Sequence, residues 1–278
     1  MPSAGRLGLL DSSAAANLAM LGWSNEKSVD VLWSLSRAPD ADLALRALIR
    51  LQDAAGAEWA DIDAELRTDK GFRGRLFGVL GSSDAIGDHL VAETSSWRRL
   101  LSADLPDRDE LFRQMLASVG AEPEPGELEK GNLVYRSAIT GPKAVVALRT
   151  AYRSLLLELA AHDVASTVED EPVMWFPQAG AYLADLPDAA LTAALAVAHR
   201  EVFGDKPITV RLAVIAMGKC GARELNYVSD VDVVFVSEPA DGKTARVAGE
   251  MMRVGTLAFF EVDAALRRFG MAMGPFQM

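Results

Sequence analysis

Apolar residues in the first half of the chain recur at the spacing of one face of an α-helix. From about Lys27 to Ala165, they recur three and four positions apart. The clearest run consists of Leu148, Tyr152, Leu155, Leu156 and Leu159. A second run follows Asp40, which is placed to cap a helix that carries Leu45, Leu48 and Ile49 on one face. We interpret both runs as helix surfaces that pack in a core.

Two stretches interrupt this helical pattern. Residues 120–131 contain two prolines, three glycines and four glutamates, which is typical of a solvated loop. A second break covers Ser166–Gly180. We therefore predict a helical region over residues 1–165 and a second domain over residues 166–278.

The pattern in the second domain alternates between helices and short strands. Pro187–Phe203 and Lys243–Leu257 have helical spacing, whereas Ile208–Met217 and Val231–Val236 are rich in β-branched residues. Phe259–Leu266 can be interpreted as a third strand or as a continuation of the preceding helix. The sequence therefore predicts an α+β protein, with a helical region ahead of a domain with a small mixed sheet.

Composition restricts the classes of function. The chain has 278 residues with a formal net charge of −11, so it is a poor candidate for a nucleic-acid-binding protein, which needs a clustered basic surface. It has one cysteine and three scattered histidines, which exclude an internal disulfide and argue against a zinc site. We expect a cytoplasmic protein, because we find no signal peptide and no apolar run near the roughly 18 residues of a membrane helix.

Two carboxylates mark the start of the second predicted strand. Asp230 and Asp232 are two positions apart, so their side chains would share one face of that strand, opposite Val231 and Val233. Two neighbouring carboxylates repel each other unless a positive group lies between them. Mg²⁺ is commonly held in this way, by one or two carboxylates together with substrate phosphates.

A glycine-rich turn precedes these carboxylates. Gly218 and Gly221 allow close approach of the backbone to an anion, and Lys219 and Arg223 add positive charge. The turn lacks the spacing of a Walker A loop. Each element alone is a weak signal, but the order of strand, glycine turn, Ser-Asp-x-Asp and strand favours a phosphate and metal site. Cys220 lies in this turn, and we interpret it as a packing residue because no base is placed to activate it.

A third acid completes the predicted metal site. If Phe260–Leu266 forms a strand beside the other two, Asp263 converges with Asp230 and Asp232. If the segment continues the preceding helix instead, Asp263 is a solvated residue on that helix.

The residues from Gly218 to Asp232, GKCGARELNYVSDVD, resemble the nucleotidyltransferase signature of the bifunctional glutamine synthetase adenylyltransferase/adenylyl-removing enzymes. The segments Leu32–Leu51, Val79–Val91 and Leu148–Asp163 are similar to the helical part of that family. The resemblance covers the chain to about Arg267, after which the sequence departs from the family pattern. We therefore expect the nucleotidyltransferase domain to be incomplete at its C-terminal end and a second, adenylylating domain to be absent.

The resemblance implies a polymerase-β-like nucleotidyltransferase fold and a set of site residues. The implied Mg²⁺ ligands and catalytic residues are Asp230, Asp232 and Asp263. The implied nucleotide- and phosphate-binding residues are Gly218, Lys219, Gly221, Arg223 and Ser229.

The resemblance also implies the partners. These are glutamine synthetase as protein substrate, ATP, ADP and phosphate, with a nitrogen-regulatory signal protein as a further partner. Because the match is to the N-terminal part of the family, we expect Mg²⁺-dependent removal of AMP from a tyrosine of glutamine synthetase by phosphorolysis, which yields ADP. The alternatives are a catalytically silent module that only binds glutamine synthetase or a signal protein, and a Mg²⁺-dependent nucleotidyltransferase with another target.

Overall fold

The computed structural model describes residues 1–127, 130, 132–227, 229, 231–239 and 241–267, with side chains described as far as residue 258. The helices are α1 (Ala14–Met20), α2 (Val29–Leu35), α3 (Ala41–Ala55), α4 (Trp59–Thr68), α5 (Lys70–Ser82), α6 (Asp84–Ala92), α7 (Arg108–Ser118), α8 (Gly141–Val164), α9 (Phe176–Phe203), α10 (Gly218–Gly221) and α11 (Gly242–Arg267). The strands are β1 (Glu122–Pro123), β2 (Tyr135–Arg136), β3 (Arg211–Ala216) and β4 (Val233–Glu238). The described part of the chain is therefore mainly helical, with small sheets.

The chain forms two compact units that are interleaved along the sequence. Unit 1 consists of residues 1–105 and 156–175, and unit 2 consists of residues 106–155 and 176–278. Neither unit coincides with the predicted ranges 1–165 and 166–278. The division of the chain into those two domains stays a prediction.

Unit 1 is a helical body with an aromatic and aliphatic core. Trp23, Phe72 and Phe77 are fully buried, and the Trp23 ring lies edge-on to the Phe77 ring at 6.1 Å. The predicted N-cap of α3 is confirmed, because the Asp40 carboxylate accepts a hydrogen bond of 2.8 Å from the Leu43 N–H. Helix capping and a continuous apolar face therefore explain this part of the fold.

Helix α9 is the central element of unit 2 and packs against α7 and α11. It begins at Phe176, so it is longer than the predicted Pro187–Phe203 and carries Pro187 in its interior. Among the described residues, α9 is long and apolar enough to cross a membrane, but 78% of its apolar window is buried inside the protein. This burial is typical of the core helix of a globular protein.

The two predicted strands on either side of the glycine turn are confirmed, with small shifts of their ends. β3 and β4 pair antiparallel, with Ala216 opposite Val233 and Arg211 opposite Glu238. Within the described ranges, the other sheet is the antiparallel pair β1–β2, which lies partly in the predicted loop 120–131. The described sheets are therefore two-stranded and antiparallel, in place of the predicted mixed sheet.

Of the two interpretations of Phe259–Leu266, the helical one is confirmed and the third strand is wrong, because α11 continues through this segment to Arg267. Its buried residues Val247, Met251, Val254 and Ala258 follow one helix face. No glycine or proline separates this face from the following segment, and Ala264, Ala265 and Leu266 favour helix. The side chain of Asp263 lies outside the described residues.

Candidate functional site

The glycine turn leaves the end of β3 and folds back on that strand. Gly218 has a φ of 54°, which lies in the left-handed region that favours glycine. At Gly221, a Cβ would lie 2.4 Å from the carbonyl oxygen of Ala216, so only glycine fits there. The Gly221 N–H donates to the Met217 carbonyl at 3.0 Å, and the Ala222 N–H donates to the Gly218 carbonyl at 3.0 Å. The sequence therefore builds a tight turn whose geometry depends on both glycines.

Asp232 lies beside this turn, at the start of β4. Its carbonyl accepts a hydrogen bond of 2.8 Å from the Met217 N–H. Its Oδ2 is 4.0 Å from the position that a Cβ on Gly218 would take. Asp232 is exposed, whereas Val231 and Val233 are buried, as the predicted alternation requires. The structure therefore brings an exposed carboxylate next to the glycine turn.

Lys219 and Ser229 differ in what they present to solvent. The Lys219 side chain is exposed, and it makes no ion pair with the residues that the structure describes. Ser229 is buried, and its hydroxyl donates to the Asn226 side-chain oxygen at 2.7 Å. Asn226 was not identified from the sequence. As placed here, Ser229 holds the segment that leads to the carboxylates, and its predicted contact with phosphate stays a prediction.

Cys220 is buried in the turn, with 4% of its surface exposed. Burial raises the pKa of its thiol to about 12, and the negative charges of Asp188, Asp185 and Asp232 act in the same direction. A thiol with so high a pKa is a poor nucleophile near neutral pH. The position therefore agrees with the interpretation of Cys220 as a packing residue.

Arg223 is bonded to a carboxylate of helix α9. Its guanidinium forms a two-point ion pair with Asp185, in which Nη1 bonds Oδ1 and Nη2 donates to Oδ2 at 2.7 Å. This hydrogen bonding raises the pKa of Arg223. Sequence reasoning assigned Arg223 to phosphate and missed Asp185. The signal available for Asp185 was an acid flanked by Leu183, Ala184 and Leu186 on a mainly apolar helix.

The predicted metal ligands lie partly outside the described residues. Among the side chains that the structure describes, no group of three or more His, Cys, Asp or Glu residues could hold a metal ion. Asp230 and the side chain of Asp263 are not among them, so the convergence of Asp230, Asp232 and Asp263 stays a prediction. Of the predicted ligands, the structure describes the exposed carboxylate of Asp232, whose oxygens are of the type that Mg²⁺ binds.

A match to a family profile assigns the chain to a protein family. The profile of the glutamate-ammonia ligase adenylyltransferase family matches residues 74–273. The chain belongs to this family. The match includes the glycine turn and all three predicted acids, and glutamate-ammonia ligase is another name for glutamine synthetase.

Similar full-length family members agree with this assignment. A bifunctional glutamine synthetase adenylyltransferase/adenylyl-removing enzyme of Nocardia farcinica is 61% identical over 270 residues, which are 97% of this chain and 27% of that protein. Enzymes of the same name from Mycobacterium bovis and Mycobacterium leprae are 56% and 52% identical, each over 97% of this chain and 26% of the relative. The chain therefore spans about a quarter of the length of these curated relatives.

Proposed function

We propose that this chain takes part in the regulation of glutamine synthetase and removes AMP from its adenylylated tyrosine. The observation that carries the proposal is the closure of the glycine turn against Asp232, through the 2.8 Å bond from Met217 N–H to the Asp232 carbonyl. This closure places an exposed carboxylate beside the turn that carries the exposed Lys219. Membership of the family and the names of the relatives support glutamine synthetase as the protein substrate.

The proposed roles follow from the chemistry of the side chains. Asp230 and Asp232 would hold Mg²⁺, and Asp263 is the third proposed ligand on the basis of the sequence resemblance. Mg²⁺ would neutralise charge on the phosphoryl oxygens. Gly218 and Gly221 would let the turn approach phosphate closely, while the Lys219 ammonium pairs with the negative oxygens of the phosphate. Ser229 is a further proposed phosphate ligand.

In the proposed reaction, an oxygen of inorganic phosphate attacks the phosphorus of the AMP group. The bond from this phosphorus to the tyrosine oxygen breaks, the phenolate takes up the proton that the phosphate releases, and ADP leaves. The chain itself binds and orients the two anionic groups and keeps their mutual repulsion low.

We further propose a polymerase-β-like nucleotidyltransferase fold for the C-terminal part, over residues 166–278, and a cytoplasmic location. ATP and a nitrogen-regulatory signal protein are the remaining proposed partners. The acidic chain with its single cysteine is compatible with a reducing compartment and with a protein substrate in place of a nucleic acid.

The proposal is tested by incubating the intact chain with adenylylated glutamine synthetase, phosphate and Mg²⁺. We expect the intact mass of the synthetase subunit to fall by one adenylyl group, and no change without phosphate or without Mg²⁺. A folded chain that leaves the subunit mass unchanged under all conditions contradicts the proposal.

A second candidate function is a binding module without catalytic activity. It is favoured by one observation, which is that the segment with the third acid belongs to α11 and does not form a strand beside β3 and β4. In that case the chain binds glutamine synthetase and leaves the AMP group in place. Co-sedimentation with the synthetase, together with an unchanged subunit mass, distinguishes this function from the first.

A further inference from the structure

The glycine turn is tied to helix α9 through a single carboxylate. Asp185 lies on α9 and is 5% exposed. Its carboxylate accepts hydrogen bonds from both Nη atoms of Arg223, and the bond from Nη2 to Oδ2 is 2.7 Å long. Two-point pairs of this kind fix the orientation of both partners as well as their distance.

A second arginine donates to the same carboxylate, at the Oδ1 atom that also bonds Nη1 of Arg223. Arg108 on α7 donates to Asp185 at 3.1 Å and to Asp188, one helical turn further along α9, at 3.3 Å. Its guanidinium also lies over the ring of Phe112, 5.0 Å from the ring centre. Burial raises the pKa of Asp188. Asp185 is therefore buried and bonded to two cations, so its side chain has little freedom to move.

Arg223 also has an unusual backbone conformation. Its φ is 60°, in the left-handed region that residues with a Cβ rarely adopt. Its N–H donates to the Cys220 carbonyl at 3.1 Å, and the next N–H, that of Glu224, donates to the Lys219 carbonyl at 2.8 Å. These two bonds tie Arg223 and the residue that follows it to the backbone of Cys220 and Lys219.

The backbone of α9 lies close to this segment. A Cβ on Gly180 of α9 would be 3.3 Å from the Leu225 carbonyl oxygen and 3.4 Å from the Cα of Glu224. The end of the glycine turn is thus packed on α9 next to the Asp185–Arg223 pair. The pair and this close packing together fix the turn on a long buried helix.

We propose that Asp185 and Arg223 are positioning residues, which hold the glycine turn and Lys219 in place against α9. This inference rests on the proposed function, because it concerns the same turn. Both Nη atoms of Arg223 are engaged by Asp185, so Arg223 acts on the reaction through the turn, in place of the phosphate contact predicted from the sequence. Arg108 supports the pair by donating a further hydrogen bond to Oδ1 of Asp185.

The test is a double-mutant cycle in the intact chain with Asp185→Asn, Arg223→Met and the double variant. We expect each single variant to lower kcat for AMP removal by about 100-fold with an unchanged KM for phosphate, because small displacements of a positioned group have effects of this size. The double variant should lose no more than the worse single variant. Arg223→Lys keeps the charge but not the two-point geometry, and it should retain an intermediate kcat.

Arg253→Met is the matched control. Arg253 is as exposed as Arg223, at 44% of its side chain, and pairs with Glu250 on the surface of α11. We expect this variant to behave as wild type. If Arg223→Met raises the KM for phosphate while Asp185→Asn does not, Arg223 contacts phosphate directly and the inference is wrong.

Alkylation of Cys220 gives a readout that does not depend on activity. Cys220 is the single cysteine and is buried in the same turn. If the pair holds the turn, Asp185→Asn and Arg223→Met should both speed alkylation of the folded chain, by about 10-fold or more, while Arg253→Met should not. Unchanged alkylation in both variants overturns the inference. A folded wild-type chain that removes no AMP contradicts the proposed function and the catalytic part of the inference, while the alkylation rates still decide whether the pair holds the turn.

Discussion

Substitution of Gly221 by alanine tests the tightness of the glycine turn. The added Cβ would lie 2.4 Å from the Ala216 carbonyl oxygen and 3.0 Å from its carbon. Nonbonded heavy atoms pack best at roughly 3.5 Å or more, so the turn and the end of β3 must separate. Overpacking of this kind costs about 1–3 kcal/mol. We therefore expect Gly221→Ala to destabilise the turn by about that free energy.

Gly249→Ala is the matched control for this prediction. Gly249 is an exposed residue within α11, and a Cβ there meets nothing within 4 Å. Alanine restricts the unfolded chain and favours helix, so this variant should be more stable than wild type by about 0.4–1 kcal/mol. The two glycine-to-alanine changes should therefore have opposite signs.

The alkylation rate of Cys220 is the most local assay for this effect. All five tryptophans (Trp23, Trp33, Trp59, Trp97 and Trp175) lie in unit 1, so their fluorescence does not follow the turn in unit 2 directly. At tenfold per 1.4 kcal/mol, a loss of 1–3 kcal/mol should raise the alkylation rate by about 5- to 140-fold. Gly249→Ala should leave the rate unchanged or lower it. A Gly221→Ala rate equal to that of wild type would refute the close contact with Ala216.

Three further predictions concern the acid, the thiol and a buried histidine. Asp232→Asn should lower AMP removal by at least about 100-fold, whereas Glu238→Gln, an exposed acid at the other end of β4, should leave the initial rate unchanged. The alkylation rate of Cys220 should rise about tenfold per pH unit from pH 7 to pH 10 without a plateau, because burial raises its pKa to about 12. Burial lowers the pKa of His199, whose Nδ1 lies 2.9 Å from the Tyr135 carbonyl, so the neutral ring is favoured in the folded chain. The neutral ring therefore stabilises the folded chain above the unfolded pKa of about 6.5, and this contribution is lost as pH falls through the lowered folded pKa. The urea midpoint of unfolding should drop between these two pKa values, and it should drop less in His199→Asn.

Local patterns predicted the elements around the site. The β-branched runs gave β3 and β4, and the spacing of glycines between them gave the turn with its short helix α10. The alternation of Val231, Asp232 and Val233 correctly placed the acid on the exposed side. These features depend on a few neighbouring residues, and a single sequence contains that information.

Features that depend on distant residues were not predicted. The pairing of Arg223 with Asp185 joins positions 38 residues apart, and no local spacing indicates it. The segment after Ala258 carries two phenylalanines and Val262, which favour strands, together with good helix formers, so the packing of the preceding α11 face decides its conformation. The interleaving of the two units is likewise a property of packing between segments remote in sequence.

Transfer of labelled inorganic phosphate into ADP is the most direct test of the proposed function. The intact chain is mixed with adenylylated glutamine synthetase, Mg²⁺ and radiolabelled phosphate, and the nucleotides are separated. We expect the label to appear in the terminal phosphate of ADP, in an amount equal to the AMP lost from the synthetase, and we expect Asp232→Asn to abolish this transfer. Release of unlabelled AMP in place of labelled ADP would contradict phosphorolysis, and the absence of any released nucleotide from a folded chain would contradict the enzymatic function.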